Sequence, residues 1–218
     1  MKIENARIIF LPLIFFLTTG LCITTNDFHS PLALGKGRKL VGMGISGALS
    51  RGTLDFYSEE IEIYARFGVS NRIDFDLKLY ASGGRENISR GFGIYGGGKV
   101  EILKSQVLDV SGNIGLSYSR CKIIEPSRHE MGHVFALYTS ILVGKEYLFV
   151  GYKSAAELRD FLGGQLALSQ EISFMMGGSF GDKIRFIPEL TYCPEGPSTD
   201  LYDESPIFVV GTSIQYCF

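Results

Sequence analysis

A chain of 218 residues suits a single domain, and its formal net charge is -2, from Lys+Arg 21 against Asp+Glu 23. That balance offers no basic patch for nucleic acid and no acidic tail for a basic partner. The 27 glycines, 16 Phe and 11 Tyr, with no Trp, fit hairpins and curved β-walls better than helices, because glycine costs about 1 kcal/mol in a helix interior.

Lys2 and Arg7 open the chain, and Ile8 to Leu17 is an almost unbroken apolar run interrupted only by Pro12. That run is about half of the ~20 residues a helix needs to cross a bilayer. Small residues at Thr18-Thr19-Gly20 follow, so residues 1–22 read as a secretory signal peptide rather than an anchor. Cys22 stands behind Leu21 instead of a small residue, which argues against lipidation. Residues 23–38 then form a polar leader, and 39–218 a β-barrel. Cys121, Cys193 and Cys217 remain after the signal. Export permits disulfides, but an odd number leaves at least one thiol unpaired within the chain. Cys121 and Cys193 fall at the same rim of the predicted barrel, and spacing alone does not make them a pair.

Alternation of period two marks the strands. Lys39–Ser50 sets Val41, Met43, Ile45 and Leu49 against Gly42, Gly44, Ser46 and Ala48. Glu59–Val69 sets Ile61, Ile63, Ala65 and Phe67 against Glu60, Glu62, Tyr64 and Arg66. A turn at residues 70–72 leads into Ile73–Ser82, where Phe75, Leu77 and Leu79 oppose Asp74, Asp76, Lys78 and Tyr80. Phe92–Leu103 and Val107–Ser119 continue the pattern, with Lys99 and Glu101 on the polar face of the first. Met131–Val143 is apolar on both faces, which leaves its orientation open. Tyr147–Ser154, Phe161–Phe174, Lys183–Cys193 and Pro206–Phe218 complete a set of ten. Pro188 marks a bulge or the start of pairing, because proline gives no N–H to a ladder. Glycines at 91, 93 and 96–98 are read as relief where a curved wall packs closely.

Short turns near residues 71, 105, 145 and 181 alternate with longer polar connections at 83–91, 121–130 and 194–205. The final strand carries Phe208, Val210, Thr212, Ile214, Tyr216 and Phe218 on one face. This ending, Tyr216-Cys217-Phe218, together with the alternation of turns and loops, resembles small bacterial outer-membrane β-barrel proteins of the OmpA/OmpX-like kind. The resemblance implies an all-β fold: an antiparallel up-and-down transmembrane barrel of about ten strands, with eight or twelve as neighbouring solutions. It further implies residence in the cell outer membrane, contact with outer-membrane lipid, and recognition of Tyr216 and Phe218 by the barrel-assembly machinery. Aromatics near both strand ends, Phe67, Phe75 and Phe186 at one rim and Phe92, Tyr118, Tyr192 and Phe208 at the other, fit two interfacial girdles. The polar face would then line the lumen as a charge network of Arg66, Asp74, Asp76, Lys78, Lys99, Glu101, Arg185 and Glu189. So many inward charges favour a filled lumen over an open pore.

Two motifs invite an enzymatic reading. His129-Glu130-Met131-Gly132-His133 matches the zinc-peptidase pattern, in which a helix brings two imidazoles to one metal and the glutamate activates water. A third ligand is wanting: His29 precedes the barrel, and Glu157 is the acidic option. In a strand, residues four apart lie roughly 13 Å apart, too far for one zinc at ~2.1 Å. His129 and Glu130 are therefore expected in a loop at the outer rim, with strand from Val134 onward. Asp74-x-Asp76 resembles the paired acids of outer-membrane aspartyl-type proteases, but it follows a short turn and no Asp-x-His accompanies it. The resulting expectation is a barrel of structural, surface-interaction or narrow-channel type, without catalysis, cofactor or metal.

Overall fold

The computed structural model describes residues 28–50, 56–84, 90–125, 128–161, 165–194 and 207–218. Ten strands follow one another: β1 (Lys39–Ser50), β2 (Phe56–Gly68), β3 (Ile73–Gly84), β4 (Arg90–Lys104), β5 (Asp109–Glu125), β6 (Arg128–Lys145), β7 (Leu148–Phe161), β8 (Gln165–Gly177), β9 (Ile184–Cys193) and β10 (Ile207–Cys217). Each pairs antiparallel with its sequence neighbour, and β1 pairs with β10, so the sheet closes on itself. Lys39 and Phe218 exchange both backbone hydrogen bonds at 2.9 Å, at the end of the barrel that carries the short turns.

Alternation sets the two faces. In the β2–β3 hairpin, Ile63 lies opposite Leu79 and Ala65 opposite Leu77. Ile61, Ile63, Phe67, Phe75, Leu77 and Leu79 are exposed, whereas Glu62, Tyr64, Arg66, Asp74, Asp76 and Lys78 are buried. On β10, Ile214 and Tyr216 face out while Ser213 and Gln215 face in. The sequence left β6 open, and the register resolves it: Phe135 and Leu137 point outward, Val134, Ala136, Tyr138 and Leu142 inward. The glycines of β4 make room for lumen aromatics, since a Cβ at Gly93 would meet the Tyr80 ring and one at Gly97 the Tyr95 hydroxyl.

Two boundaries differ from expectation. The predicted loop at 121–130 is mostly strand: β5 runs to Glu125 and β6 starts at Arg128, pairing Ile124 with His129 and Glu125 with Arg128. Apolar alternation reports where a strand meets lipid, but a hairpin beyond the bilayer needs only its ladder, so a polar stretch can still be strand. β7 also continues past Ser154 to Phe161. Pro188 lies within β9, opposite Thr212 in the unbroken β9–β10 ladder, and it limits pairing only on the β8 side. Among the described residues β8 and β9 share only Phe174–Gly177 against Tyr192–Glu189, and the ladder stops one residue short of the proline.

Candidate functional site

The leader does not stay outside the wall. Gly37 donates its N–H to the Gly68 carbonyl at 2.8 Å, and Gly68 donates to the Arg38 carbonyl at 2.9 Å. Gly35 and Gly37 adopt φ of 90° and 79°, a left-handed conformation that suits glycine, and so turn the chain back into the barrel mouth. The crossing is close: a Cβ on Gly68 would stand 1.9 Å from the Gly35 carbonyl oxygen. From Leu34 back to Phe28 the leader then runs inside the lumen.

There the lumen side chains hold its backbone. The Asp74 carboxylate accepts from the Leu34 N–H at 3.1 and 3.0 Å, and Glu101 accepts from the Ala33 N–H at 3.1 Å. The Lys99 ammonium donates to the carbonyls of Ser30, at 3.1 Å, and Leu32. Deeper in, Glu189 accepts from the Phe28 N–H at 2.8 Å, and the Gln215 amide donates to the Phe28 carbonyl at 2.9 Å. The Phe28 ring packs into a buried cluster with Leu40, Tyr64, Leu142, Phe149, Met175 and Ile187. It lies over Gly44, where a Cβ would stand 2.5 Å from the ring edge. Gln215 also donates to the Tyr64 hydroxyl at 2.7 Å, and that hydroxyl donates to Ser213 at 2.9 Å. A backbone taken from water into this interior would cost about 1–3 kcal/mol for each unpaired group. The charged wall removes that cost.

The remaining charges form ion pairs. Arg66 meets Asp76 at 2.5 Å, Lys78 meets Glu62 at 2.7 Å, and Lys99 lies 3.4 Å from Asp74. Arg185 departs from its expected place in the lumen. It sits at the short-turn rim, partly exposed, 2.6 Å from Glu146 and donating to the Asp182 carbonyl at 3.2 Å. As the first inward residue of β9, it has a side chain long enough to reach the neighbouring turns. Sequence reasoning missed Gln215 as a leader contact, and also Lys153, whose ammonium lies 4.9 Å from the Tyr138 ring centroid. Glu157, considered only as a metal ligand, is buried on β7. His29, borne by the leader, is buried with Nδ1 3.9 Å from Asp76. Burial first, then the cations Arg66, Lys99, Lys78 and Lys153, hold its imidazole well below the usual range, so it seats neutral.

The His-Glu-x-x-His segment lies within β6, and His129 and Glu130 are strand residues rather than loop residues. His133 pairs across the ladder with Arg120, and its Nδ1 lies 2.8 Å from the Tyr118 hydroxyl, with the two rings stacked. An extended strand sets residues four apart roughly 13 Å from one another, so the helix that zinc binding needs is replaced. Purified protein is expected to carry no stoichiometric zinc by elemental analysis, and Glu130→Gln to leave its folding and conductance unchanged. Bound zinc lost on His133→Ala would contradict this.

Outward aromatics gather toward the two ends of the wall. Tyr216 stacks with Phe218 near Phe67, Phe75 and Phe186, and Tyr192 with Phe208 and Tyr118 with Phe135 lie toward the other end. The wall is closed, even-numbered and antiparallel, apolar outside and charged within, the reverse of a water-soluble barrel. This is a small outer-membrane β-barrel. No protein-family model and no curated protein sequence matches it. Among solved structures it is similar to Neisserial surface protein A, at 8% identity and TM-score 0.45, over 83% of this chain and 99% of that one. It is also similar to the N-terminal β-barrel domain of Pseudomonas aeruginosa OprF, at 7% identity and TM-score 0.42, over 84% and 99% of the two chains. The translocator domain of the autotransporter NalP from Neisseria meningitidis gives 8% and 0.43, over 84% and 88%. These likenesses concern barrel shape alone.

Proposed function

We propose that this outer-membrane barrel is non-catalytic and keeps its lumen closed with its own leader, acting as a structural or surface-interaction protein rather than as an open channel. The observation that supports the reading is the grip on the leader backbone from Phe28 to Leu34 by Glu189, Gln215, Lys99, Glu101 and Asp74. A ten-stranded interior has only modest room beyond the eight-stranded size that side chains fill, so a seated peptide obstructs it. The two acids of the protease-like Asp74-x-Asp76 pair are engaged, one by the leader and Lys99 and the other by Arg66.

Deleting residues 28–34 tests the closed lumen. Reconstituted in planar bilayers, the full barrel should give no sustained conductance and the shortened one a steady channel. Equal, open conductance from both would refute it. The outward pair of Tyr216 on β10 and Phe218 directly after it is the proposed contact for the assembly machinery. Phe218→Asp should then lower membrane yield and leave protease-sensitive material outside the membrane, and an undiminished yield would count against that role.

A further inference from the structure

Every hydrogen bond from the lumen to the leader described above ends on a backbone atom. The N–H groups of Phe28, Ala33 and Leu34 meet carboxylates, and the carbonyls of Phe28, Ser30 and Leu32 meet Gln215 and Lys99. Pro31 falls between these contacts and has no N–H to give. The side chains along the same stretch are an imidazole, a hydroxyl, a proline ring and small aliphatics, with no common chemistry. The imidazole makes no hydrogen bond at Nδ1. Phe28 fills a pocket over the bare backbone of Gly44, and Leu34 packs at the edge of the same cluster. A wall that reads backbone and one aromatic ring recognises a class of ligand rather than one sequence.

We propose that the lumen is a peptide-binding site, and that the leader is a ligand of that site carried in cis. It takes an extended polypeptide segment through its backbone N–H and C=O groups, with one aromatic side chain opposite Gly44 setting the register. Ligand enters at the short-turn mouth, where Lys36, Gly37 and Arg38 are exposed. The tether gives the leader an effective concentration of about a millimolar, so a free peptide occupies the site when the leader is absent or withdrawn. This inference rests on the closed-lumen reading.

The test uses the barrel lacking residues 28–34, its folding checked by heat-modifiable gel mobility, and synthetic peptides spanning residues 28–36. The native peptide, added from the short-turn side, should block conductance saturably. A peptide carrying Phe28→Ala should bind about tenfold or more weakly. One carrying Ser30→Ala, Leu32→Ala and Ala33→Ser together should block as the native one does. A shortened barrel that conducts yet is not blocked by about 1 mM native peptide overturns the inference, as does block that ignores Phe28 or is abolished by the triple change. A shortened barrel that conducts no more than the parent fails the closed-lumen reading instead. Where the shortened chain does not fold, trypsin applied to the intact barrel gives a second measurement. Cleavage after Lys36 should leave the leader fragment bound until the barrel is denatured, and its immediate loss on cleavage overturns the proposal.

Discussion

Gly68→Val should open the lumen and leave the barrel wall intact. The position tolerates no Cβ, because the Gly35 carbonyl carbon and oxygen lie 2.7 and 1.9 Å from where one would be. Both parties are backbone, so no rotamer change relieves the clash, and the leader must leave its path. The contacts nearest the entrance then go first: Leu34 to Asp74 and Ala33 to Glu101. At roughly 1.5–3 kcal/mol for each hydrogen bond to a charged group, losing both shifts the seating equilibrium about a hundredfold or more. Planar-bilayer recordings should pass from closed to conducting, and Lys36 should become a faster tryptic site. Gly96→Val is the matched control, since nothing lies within 4 Å of a Cβ built there. A Gly68→Val barrel as closed as its parent would show that the leader does not take this route.

Lys99→Met should cost the barrel about 3–5 kcal/mol, the range for removing one partner of a buried charge pair. Lys99 is fully buried, 3.4 Å from Asp74, and it supplies the hydrogen bonds of the Ser30 and Leu32 carbonyls. Methionine keeps the volume and removes the charge, so Asp74 loses its cation and two leader carbonyls lose their donor. Urea unfolding in detergent or lipid reads the loss. Adding Asp74→Asn should restore part of it, because the double variant removes both charges of the pair, and the shortfall from additivity measures the coupling. A Lys99→Met barrel as stable as the parent would remove Lys99 from its central role.

Much of the wall was legible because lipid imposes a strict alternation. Ile63, Leu77 and Ile214 could be set outside, and Arg66, Asp74 and Lys99 inside, from period two alone. Where lipid no longer acts, the signal fades. The stretch 121–130 looked like a loop because Lys122, Glu125, Pro126, Ser127, Arg128, His129 and Glu130 interrupt the apolar alternation, although its backbone pairs as a ladder from Cys121 to Glu125 against Arg128 to Gly132. The lumen residues were readable as a set, but their partner was not. Asp74 and Lys99 looked like an ion-pair layer among side chains, whereas they also bind leader backbone, Asp74 across 40 positions in sequence and Lys99 across 67 and 69. The signal that was available is Gly35-Lys36-Gly37, a turn placed shortly before the first strand, after the apolar stretch Pro31-Leu32-Ala33-Leu34 and the aromatic Phe28 of the leader. Turn chemistry there marks a chain that reverses rather than one that trails away.

The separations within the leader site also set an order of events in folding. Phe28 is joined to Gln215 across 187 positions and to Glu189 across 161. Contacts so distant in sequence form late, because the whole intervening chain must be ordered before they contribute. Their acceptors and donors belong to β9 and β10, the last strands to be synthesised, and β10 closes the sheet against β1. The leader is thus among the first segments made and among the last to settle. Its seating reports that closure has succeeded, and a barrel with a mispaired β1–β10 seam would hold its leader loosely and be open to proteolysis at Lys36.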